Sequence, residues 1–368
     1  MIIGVPREIK ANEHRVALLP VGAQLLTEDG HVVLVQKGAG LGAGFADKDY
    51  AAAGAKIVNT ADEVYKRGDM VVKVKEPLPP EIRKLRPGQV LFCYFHFAAA
   101  RELTEGCLKS GVTSVAYETL FDSQGRLPLL TPMSEVAGKM SIQAGARCLE
   151  KQAGGLGILL GGVAGVPPAN VLVLGAGVVG SCAARVAAGM GANVLALDNN
   201  LDRIRYLDEV MPSNVTVLYS DPHAVEHYAT IADLVVGAVL IPGARAPALL
   251  KRKHLKNMKK GAVLVDVAID QGGCVETSRP TTHDNPTYVV DGVIHYCVAN
   301  MPGAVGRTST IALCNATLPY ALKIANQTYQ KTAKDDPGFA QGINMIEGRL
   351  TNPAVADAVH LPYHPLQL

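Results

Sequence analysis

The chain has 368 residues, of which 48% are hydrophobic and 18% are charged, and its formal net charge at pH 7 is +2. A chain of this length typically forms two domains, and a charge so close to neutral gives no electrostatic case for nucleic acid or an anionic membrane as a partner. The seven cysteines include no C-x-x-C pair, which favours free thiols in a reducing compartment, the cytoplasm. No signal peptide is expected at the N-terminus, and the most apolar later stretch, 156–166, is too short to span a membrane.

The first 128 residues alternate short apolar runs with segments of helical character. The apolar runs predict strands at 2–5, 31–35, 70–74, 90–95 and 112–117. Between them, helices are predicted at 20–26, 47–53, 61–65 and 100–109. Continuous apolar strands that alternate with helices are typical of a parallel sheet covered on both faces. This part of the chain lacks a nucleotide-binding glycine motif, so we expect it to form a substrate domain.

Polar residues follow four of these strands, at or just beyond the strand end: Arg15, Lys75, His96 and Glu118. Ligands of parallel α/β sheets bind at the carboxyl ends of the strands, so these side chains are predicted to line a pocket. Each could instead be a solvated residue at a strand end. Lys73 is an alternative to Lys75, and His14 is an alternative to Arg15. A guanidinium suits a carboxylate better than an imidazole does, because it can bind both oxygens.

A long helix is predicted at 133–151, where Thr131 and Pro132 form a favourable helix start. We expect this helix to carry the chain into the second domain. The glycine-rich stretch 154–168 contains no G-K-[ST] sequence, which excludes the phosphate-binding loop of nucleotide triphosphatases. A connector or an interface loop is predicted there.

The strongest motif lies at 170–198, where an apolar strand precedes Gly175, Gly177 and Gly180 in the spacing G-x-G-x-x-G. A helix follows, and the next apolar strand ends on Asp198, which is the context of a dinucleotide-binding fold. The three glycines are expected to permit a tight turn, the approach of a pyrophosphate and close helix packing, in that order. The helix N-terminus favours the pyrophosphate anion. Asp198 would bind a ribose 2′-hydroxyl and repel a 2′-phosphate, which favours NAD over NADP. The alternative is a plain β-α-β turn without a ligand.

Further strands are predicted at 215–218, 234–239, 262–267, 288–290 and 293–298. The residues at their ends are expected to face the cofactor: Ser220, Asp221, Val239, Leu240, Asp270, Asn300 and Met301. Asp270 could act beside the nicotinamide ring. It could equally be a turn residue before Gly272 and Gly273.

A second long helix is predicted at 308–326, and the remaining residues carry no motif. The sequence therefore predicts an α/β protein with two Rossmann-like domains that have parallel sheets and are joined by long helices. Residues 1–130 together with 306–368 are assigned to a discontinuous substrate domain. Residues 131–305 are assigned to an NAD-binding Rossmann domain.

Besides the glycine motif, the chain contains the stretches GVPREIKANEHRVALLP at 4–20, FCYFHFA at 92–98, AYETL at 116–120, LLTPMSEVAGKMSIQAGA at 129–146, VDVAIDQGGC at 265–274 and VANMPGAVGRTST at 298–310. Through these stretches, nearly the whole chain resembles the alanine dehydrogenase family. Leu19 departs from the family pattern, which usually has a small hydroxyl residue before the proline. This difference could alter the turn that follows Arg15.

The resemblance implies reversible oxidative deamination of L-alanine to pyruvate and ammonium with NAD. It implies that Arg15 binds the substrate carboxylate, that Lys75 holds the carboxylate or the keto oxygen, and that His96 is the general acid and base. Asp270 would assist proton transfer or ammonium handling. Asn300, in the substrate site, and Met301 would border the nicotinamide. The residues assigned to the cofactor are Ser134, Gly175, Gly177, Val178, Val179, Gly180, Asp198, Arg203, Ser220, Val239, Leu240, Asp270 and Met301. Members of this family are typically homohexamers.

Three other functions stay open at this point. The nucleotide-binding component of a transhydrogenase shares the N-terminal signature, although Val178 and Val179 stand where those relatives usually have Val-Ala. A related lysine- or opine-forming dehydrogenase would need a larger side-chain pocket. An NAD-binding protein without catalysis is disfavoured by the presence of Arg15, Lys75 and His96.

Overall fold

The computed structural model describes residues 1–239 and 247–368. Within them the chain forms two compact units, Met1–Met133 together with Gly303–Leu368, and Ser134–Pro302. The strands, in chain order, are β1 (Ile2–Val5), β2 (Val32–Gln36), β3 (Lys56–Val58), β4 (Met70–Val72), β5 (Val90–Cys93), β6 (Thr113–Ala116), β7 (Asn170–Leu174), β8 (Asn193–Asp198), β9 (Val215–Tyr219), β10 (Leu234–Gly237), β11 (Val263–Asp266), β12 (Thr287–Val290), β13 (Val293–Tyr296), β14 (Ile343–Ile346) and β15 (Arg349–Leu350).

The helices of the described residues, in chain order, are α1 (Pro20–Glu28), α2 (Asp47–Ala52), α3 (Ala61–Arg67), α4 (Pro79–Ile82), α5 (Arg101–Ser110), α6 (Thr131–Cys148), α7 (Val178–Gly189), α8 (Leu201–Val210), α9 (Pro222–Ile231), α10 (Arg252–Leu255), α11 (Gly306–Gln327), α12 (Tyr329–Asp335), α13 (Pro337–Ala340) and α14 (Pro353–Val359). The boundary between Met133 and Ser134 falls inside α6. Among these helices, none is long and apolar enough to cross a membrane.

The sheet of the first unit has the strand order β15-β14-β6-β5-β4-β1-β2-β3. All neighbouring pairs among strands β1 to β6 are parallel, as their continuous apolar sequences predict. The hairpin β14–β15 adds an antiparallel edge that no sequence pattern indicated. Its turn residues Glu347 and Gly348 both have positive φ, 51° and 74°, which is the geometry of a type I′ turn. β3 and α4 were also not predicted, because each is only three or four residues long.

The sheet of the second unit has the strand order β12-β13-β11-β10-β7-β8-β9. All neighbouring pairs from β13 to β9 are parallel. Only β12 is antiparallel among the described strands of this sheet, and it joins β13 through Asp291 and Gly292, with φ of 49° and 82°. The predicted α/β fold is therefore confirmed, with the correction that both sheets are mixed at one edge.

Two strands of the first unit end two residues earlier than predicted, at Val72 and at Cys93. Just beyond each end, a backbone N–H group donates to an acidic side chain and not to the neighbouring strand. The N–H of Val74 donates to Glu8, and the N–H of Phe95 donates to Glu118. Apolar sequence alone cannot reveal this end, because the competing acceptors come from distant parts of the chain.

Candidate active site

The polar residues predicted at strand ends of the first unit lie at one edge of its sheet, the edge formed by the carboxyl ends of the parallel strands. β1, β4, β5 and β6 are parallel neighbours, so their carboxyl ends meet at the same edge. Arg15, Lys75 and His96 follow the first three of these strands. Glu118 lies in a 3₁₀ turn, Tyr117–Thr119, directly after β6. The four chain segments that carry these residues are thus adjacent.

The Arg15 side chain is almost fully buried and forms an ion pair with Glu13. Its Nε lies 2.7 Å from Oε1 of Glu13, and its Nη2 lies 2.5 Å from Oε2. Nη1 lies 3.0 Å from Sδ of Met133. Burial would lower the pKa of Arg15, but the bonds to Glu13 raise it above its usual value. Glu13 is a member of this edge that sequence reasoning missed, although it lies only two residues before Arg15.

Lys73, the alternative to Lys75, belongs to a buried ion cluster. Its Nζ lies 3.0 Å from Oε2 of Glu8 and 2.8 Å from Oε1 of Glu81, and its side chain is fully buried. Tyr65 also donates to Glu81. Two carboxylates that balance one buried cation make a structural role for Lys73 the simplest explanation. Lys75 is buried on the loop after β4 and is the stronger candidate for a ligand contact.

His96 is exposed and has a left-handed backbone conformation, with φ 55° and ψ 38°. Oε1 of Glu118 accepts from the N–H of His96 at 2.6 Å and from the N–H of Phe95 at 3.0 Å. A non-glycine residue in this region is strained, and such residues are concentrated at functional sites. The Glu118 carboxylate therefore holds the backbone turn that presents the imidazole. The alternative histidine, His14, is also exposed.

Tyr94 packs against His96 and was not singled out from the sequence. The two rings are nearly parallel, with 6.0 Å between their centroids and 10° between their planes. The Tyr94 hydroxyl donates to the carbonyl of Leu129. Burial raises the pKa of Tyr94, and the charge of Arg15 opposes this shift. The two-residue spacing between Tyr94 and His96 is the signal that could have placed them on one side of an extended chain.

The glycine motif of the second unit forms the turn from β7 to α7. Gly175 has φ +88°, and a Cβ at this position would lie 2.9 Å from the carbonyl oxygen of Ala238. A Cβ on Gly180 would overlap the carbonyl oxygen of Gly175, so only glycine lets the helix pack this closely. A Cβ on Gly177 would meet no atom within 4 Å. The open space at Gly177 and the start of α7 at Val178 fit a bound pyrophosphate.

Asp198 and Arg203 both bind the backbone of this turn. The N–H of Ala176 donates to Oδ2 of Asp198 at 2.7 Å. Nε of Arg203 donates to the carbonyl of Ala176 at 2.8 Å, and its Nη2 lies 3.1 Å from Oγ of Ser181. Asp198 is half-buried at the end of β8. These two side chains thus fix the conformation of the turn as well as bordering it.

Other residues assigned to the cofactor lie around the same edge. The N–H of Ser220 donates to the carbonyl of Asp198 at 2.8 Å, and Val239 would contact a Cβ placed on Gly175. Ser134 is in the first turn of α6, four residues before Gly138, where a Cβ would overlap the carbonyl oxygen of Val179. The helix α6 therefore packs against the start of α7.

Three further predictions have different outcomes. Asp221 caps α9, because its Oδ1 accepts from His223 and Ala224 at 2.8 and 2.9 Å, so a helix-capping role accounts for it. Asp270 is exposed in the 3₁₀ turn Val267–Gln271, which follows β11. Leu240 lies outside the described residues.

Asn300 and Met301 follow β13 at the same sheet edge. Asn300 has φ +64° and is half-buried. Its carbonyl lies 3.2 Å from Nε2 of His283. Met301 is buried in the apolar core of the second unit, where it packs with residues such as Val298. Asn300 shares the left-handed backbone conformation of His96, which asparagine adopts more readily than most residues do.

The cysteines and acidic residues form no metal centre in the described part of the chain. All seven cysteines are free thiols. Among described residues, no group of three or more His, Cys, Asp or Glu side chains is arranged to hold a metal ion.

Comparisons with known proteins show the family of this chain. Family models match both parts of the chain: "Alanine dehydrogenase/PNT, N-terminal domain" at residues 4–137, and "Alanine dehydrogenase/PNT, C-terminal domain" at 141–353. An alanine dehydrogenase from Methanococcus maripaludis is 53% identical, with 100% of this chain and 99% of the relative covered. One from Halomonas elongata is 54% identical, with 99% and 98% covered.

Solved structures show the same relationship. A structure titled L-alanine dehydrogenase has a TM-score of 0.93 and 52% identity, with 97% of this chain and 99% of that chain covered. A transhydrogenase from Sinorhizobium meliloti has a TM-score of 0.83 but only 24% identity, with 95% and 100% covered. The second match shows a shared fold alone. Because two family models and full-length relatives of more than 50% identity agree, this chain is an oxidoreductase that belongs to the alanine dehydrogenase/PNT family.

Proposed function

We propose that this protein catalyses the reversible oxidative deamination of L-alanine to pyruvate and ammonium, with NAD as the hydride carrier. One observation carries the proposal: the edge of the first sheet presents Arg15, Lys75 and His96 on adjacent strand ends. The glycine turn that ends beside Asp198 supplies the nucleotide site. We accordingly assign residues 1–130 with 306–368 to the substrate, and residues 131–305 to NAD.

The proposed roles follow from the chemistry of each side chain. Arg15 and Lys75 bind the carboxylate of alanine or pyruvate, because a buried carboxylate needs a cationic partner. Bound NAD would supply the acceptor for the hydride of the alanine α-carbon. His96 accepts a proton when water adds to the resulting imine, and Asp270 assists that transfer. In sum, L-alanine, NAD and water give pyruvate, ammonium, NADH and one proton.

We expect the purified protein to form NADH from NAD when L-alanine is added, and to consume NADH when pyruvate and ammonium are added. Absorbance at the NADH band measures both directions. Parallel assays with lysine plus 2-oxoglutarate, and with hydride exchange between two nucleotides, test the related dehydrogenase and the transhydrogenase. Activity in either parallel assay without activity on alanine would reject the proposal.

We expect NADP to have a kcat/KM at least about tenfold lower than that of NAD, because the Asp198 carboxylate would repel a 2′-phosphate. Asp198→Asn removes the charge but keeps an oxygen that can accept from Ala176. This variant should narrow the difference between the cofactors. A wild-type preference for NADP, or an unchanged preference in Asp198→Asn, would contradict the role of Asp198.

We also propose a homohexamer in the cytoplasm. The free thiols suit a reducing compartment. Large apolar side chains are exposed on and near the glycine-rich stretch, namely Leu159, Val163, Val166 and Met190. Apolar clusters of this kind mark interaction surfaces, and a second copy of the chain is the partner proposed here.

Light scattering should give a mass of about six times 38.7 kDa for this assembly. Introducing charge with Val163→Asp should shift the protein to smaller species. Val289→Asp is the matched control, since Val289 is equally exposed on β12, away from the cluster in sequence. A monomeric wild-type protein would exclude the hexamer, and a hexamer that tolerates Val163→Asp would move the interface elsewhere.

A further inference from the structure

A buried carboxylate lies directly behind the loop that carries Asp270. Asp266 is the last residue of β11 and is completely buried. Oδ1 accepts from the N–H of Ala268 at 3.1 Å. Oδ2 accepts from the N–H of Cys274 at 3.0 Å and from Oγ of Ser278 at 2.5 Å. One side chain thus binds both ends of the segment 268–274.

The loop between these bonds has little freedom to move at its base. Gly272 and Gly273 are both left-handed, with φ of 89° and 76°. A Cβ on Gly273 would lie 2.8 Å from Oδ2 of Asp266, and one on Gly237 would overlap Sγ of Cys274. Asp270 is the exposed residue between the two anchored ends. Because the loop is packed and bonded in this way, a shift of Asp266 would also displace the backbone of Asp270.

The donors around Asp266 require an acceptor on both carboxylate oxygens. Four bonds converge on it, from two backbone N–H groups, a hydroxyl and a thiol. An asparagine has one oxygen and one NH₂ group. Its NH₂ group, a donor, would lie against a backbone N–H group, which is also a donor. Burial raises the pKa of Asp266, whereas the bonds from Ser278 and Cys274 oppose this shift.

We propose that Asp266 is a positioning residue that holds the loop 267–274 in the conformation that Asp270 needs for its part in the reaction. The proposal rests on the proposed function, because it assigns Asp266 an effect only through Asp270. Asp266 itself is fully buried and is not expected to touch the substrate or the cofactor.

A double-mutant cycle tests the proposal. Asp266→Asn should lower kcat by about tenfold in the wild-type background, because small misplacements of a reacting group have effects of this size or larger. It should change kcat less than about twofold in an Asp270→Asn background, since residues that act as one unit are not additive. The KM for NADH should stay within about twofold in both. Ser278→Ala, a milder change that removes one bond to Asp266, should lower kcat by about fivefold in the wild-type background alone.

Asp233→Asn is the matched control. Asp233 is a buried acid of the same unit that binds the N–H of Asn170 and Lys259, just before the first residue of β10. It therefore lies at the opposite end of that strand from the candidate site. Its replacement should lower kcat by no more than about twofold in either background, because it tests only the cost of disturbing a buried acid.

Hydrogen exchange gives a readout that does not depend on activity. Asp266→Asn should speed exchange of the amides in 268–274 by at least about tenfold, whereas Asp233→Asn should leave them unchanged. Unchanged exchange in Asp266→Asn, or an equal loss of kcat in both backgrounds, would overturn the positioning role and leave the proposed function intact. Full activity of Asp270→Asn would remove Asp270 from the mechanism and overturn the positioning role with it. Absence of alanine-dependent NADH formation in the wild type is the separate result that rejects the proposed function.

Discussion

Replacing His96 by alanine is expected to lower kcat by about a hundredfold or more, because the general acid and base of the reaction would be lost. The structure supports this expectation, since Glu118 holds the His96 backbone in a left-handed turn and Tyr94 packs against the ring. The measurement is the steady-state rate with alanine and NAD across pH.

Alanine is strained at the backbone conformation of His96, so a second variant separates chemistry from folding. Asparagine tolerates left-handed φ but does not titrate, and His96→Asn should lose as much kcat as His96→Ala. His223→Ala, at an exposed histidine of α9, is the control and should keep its rate. Near-normal turnover of His96→Asn would transfer the acid–base role to Asp270 or Lys75.

Arg15→Gln is expected to raise the KM for pyruvate by about tenfold to a hundredfold, because a charge-assisted bond to the substrate carboxylate would be lost. The same change should lower the free energy of unfolding by about 3–5 kcal/mol, since it removes one partner of a buried ion pair. Steady-state kinetics and denaturant titration measure the two effects separately.

The double variant Glu13→Gln with Arg15→Gln separates the effect of Arg15 on substrate binding from its effect on folding stability. Removing both charges of the pair should restore much of the lost stability. The KM for pyruvate should stay high, because the substrate carboxylate still lacks Arg15. If the KM returns to the wild-type value together with stability, Arg15 acts only through the fold. An unchanged KM in Arg15→Gln would exclude Arg15 from the substrate site.

The glycine turn shows how far local sequence can reach. The spacing of Gly175, Gly177 and Gly180 predicts a tight turn, an open approach and a close helix contact, and the backbone has these three features in that order. These features depend on whether a Cβ is present at each of three positions that span six residues, so the sequence shows them directly. The roles of these residues in binding NAD stay predictions.

The rule that ligands of parallel sheets bind at the carboxyl ends of the strands also indicated the candidate residues of the first unit from sequence alone. Parallel strands must present their carboxyl ends at one edge, so residues as distant as Arg15 and His96 could be expected together before their contacts were known. The hairpin β14–β15 was not predictable in the same way. It is short, and its pairing with β6 joins residues more than two hundred positions apart.

The sequence by itself determined the fold class, the parallel direction of most strands, the glycine turn and the edge at which the candidate residues lie, because periodicity and turn chemistry act over a few residues. Only the tertiary structure showed that Lys73 is paired with Glu8 and Glu81; the substrate role of Lys75 stays a prediction. The tertiary structure also showed what Glu118 and Asp266 do, because each binds backbone groups in a loop that folding brings to it. The partners of these buried charges and acceptors depend on which loops the fold brings together, and a local sequence pattern does not contain that information.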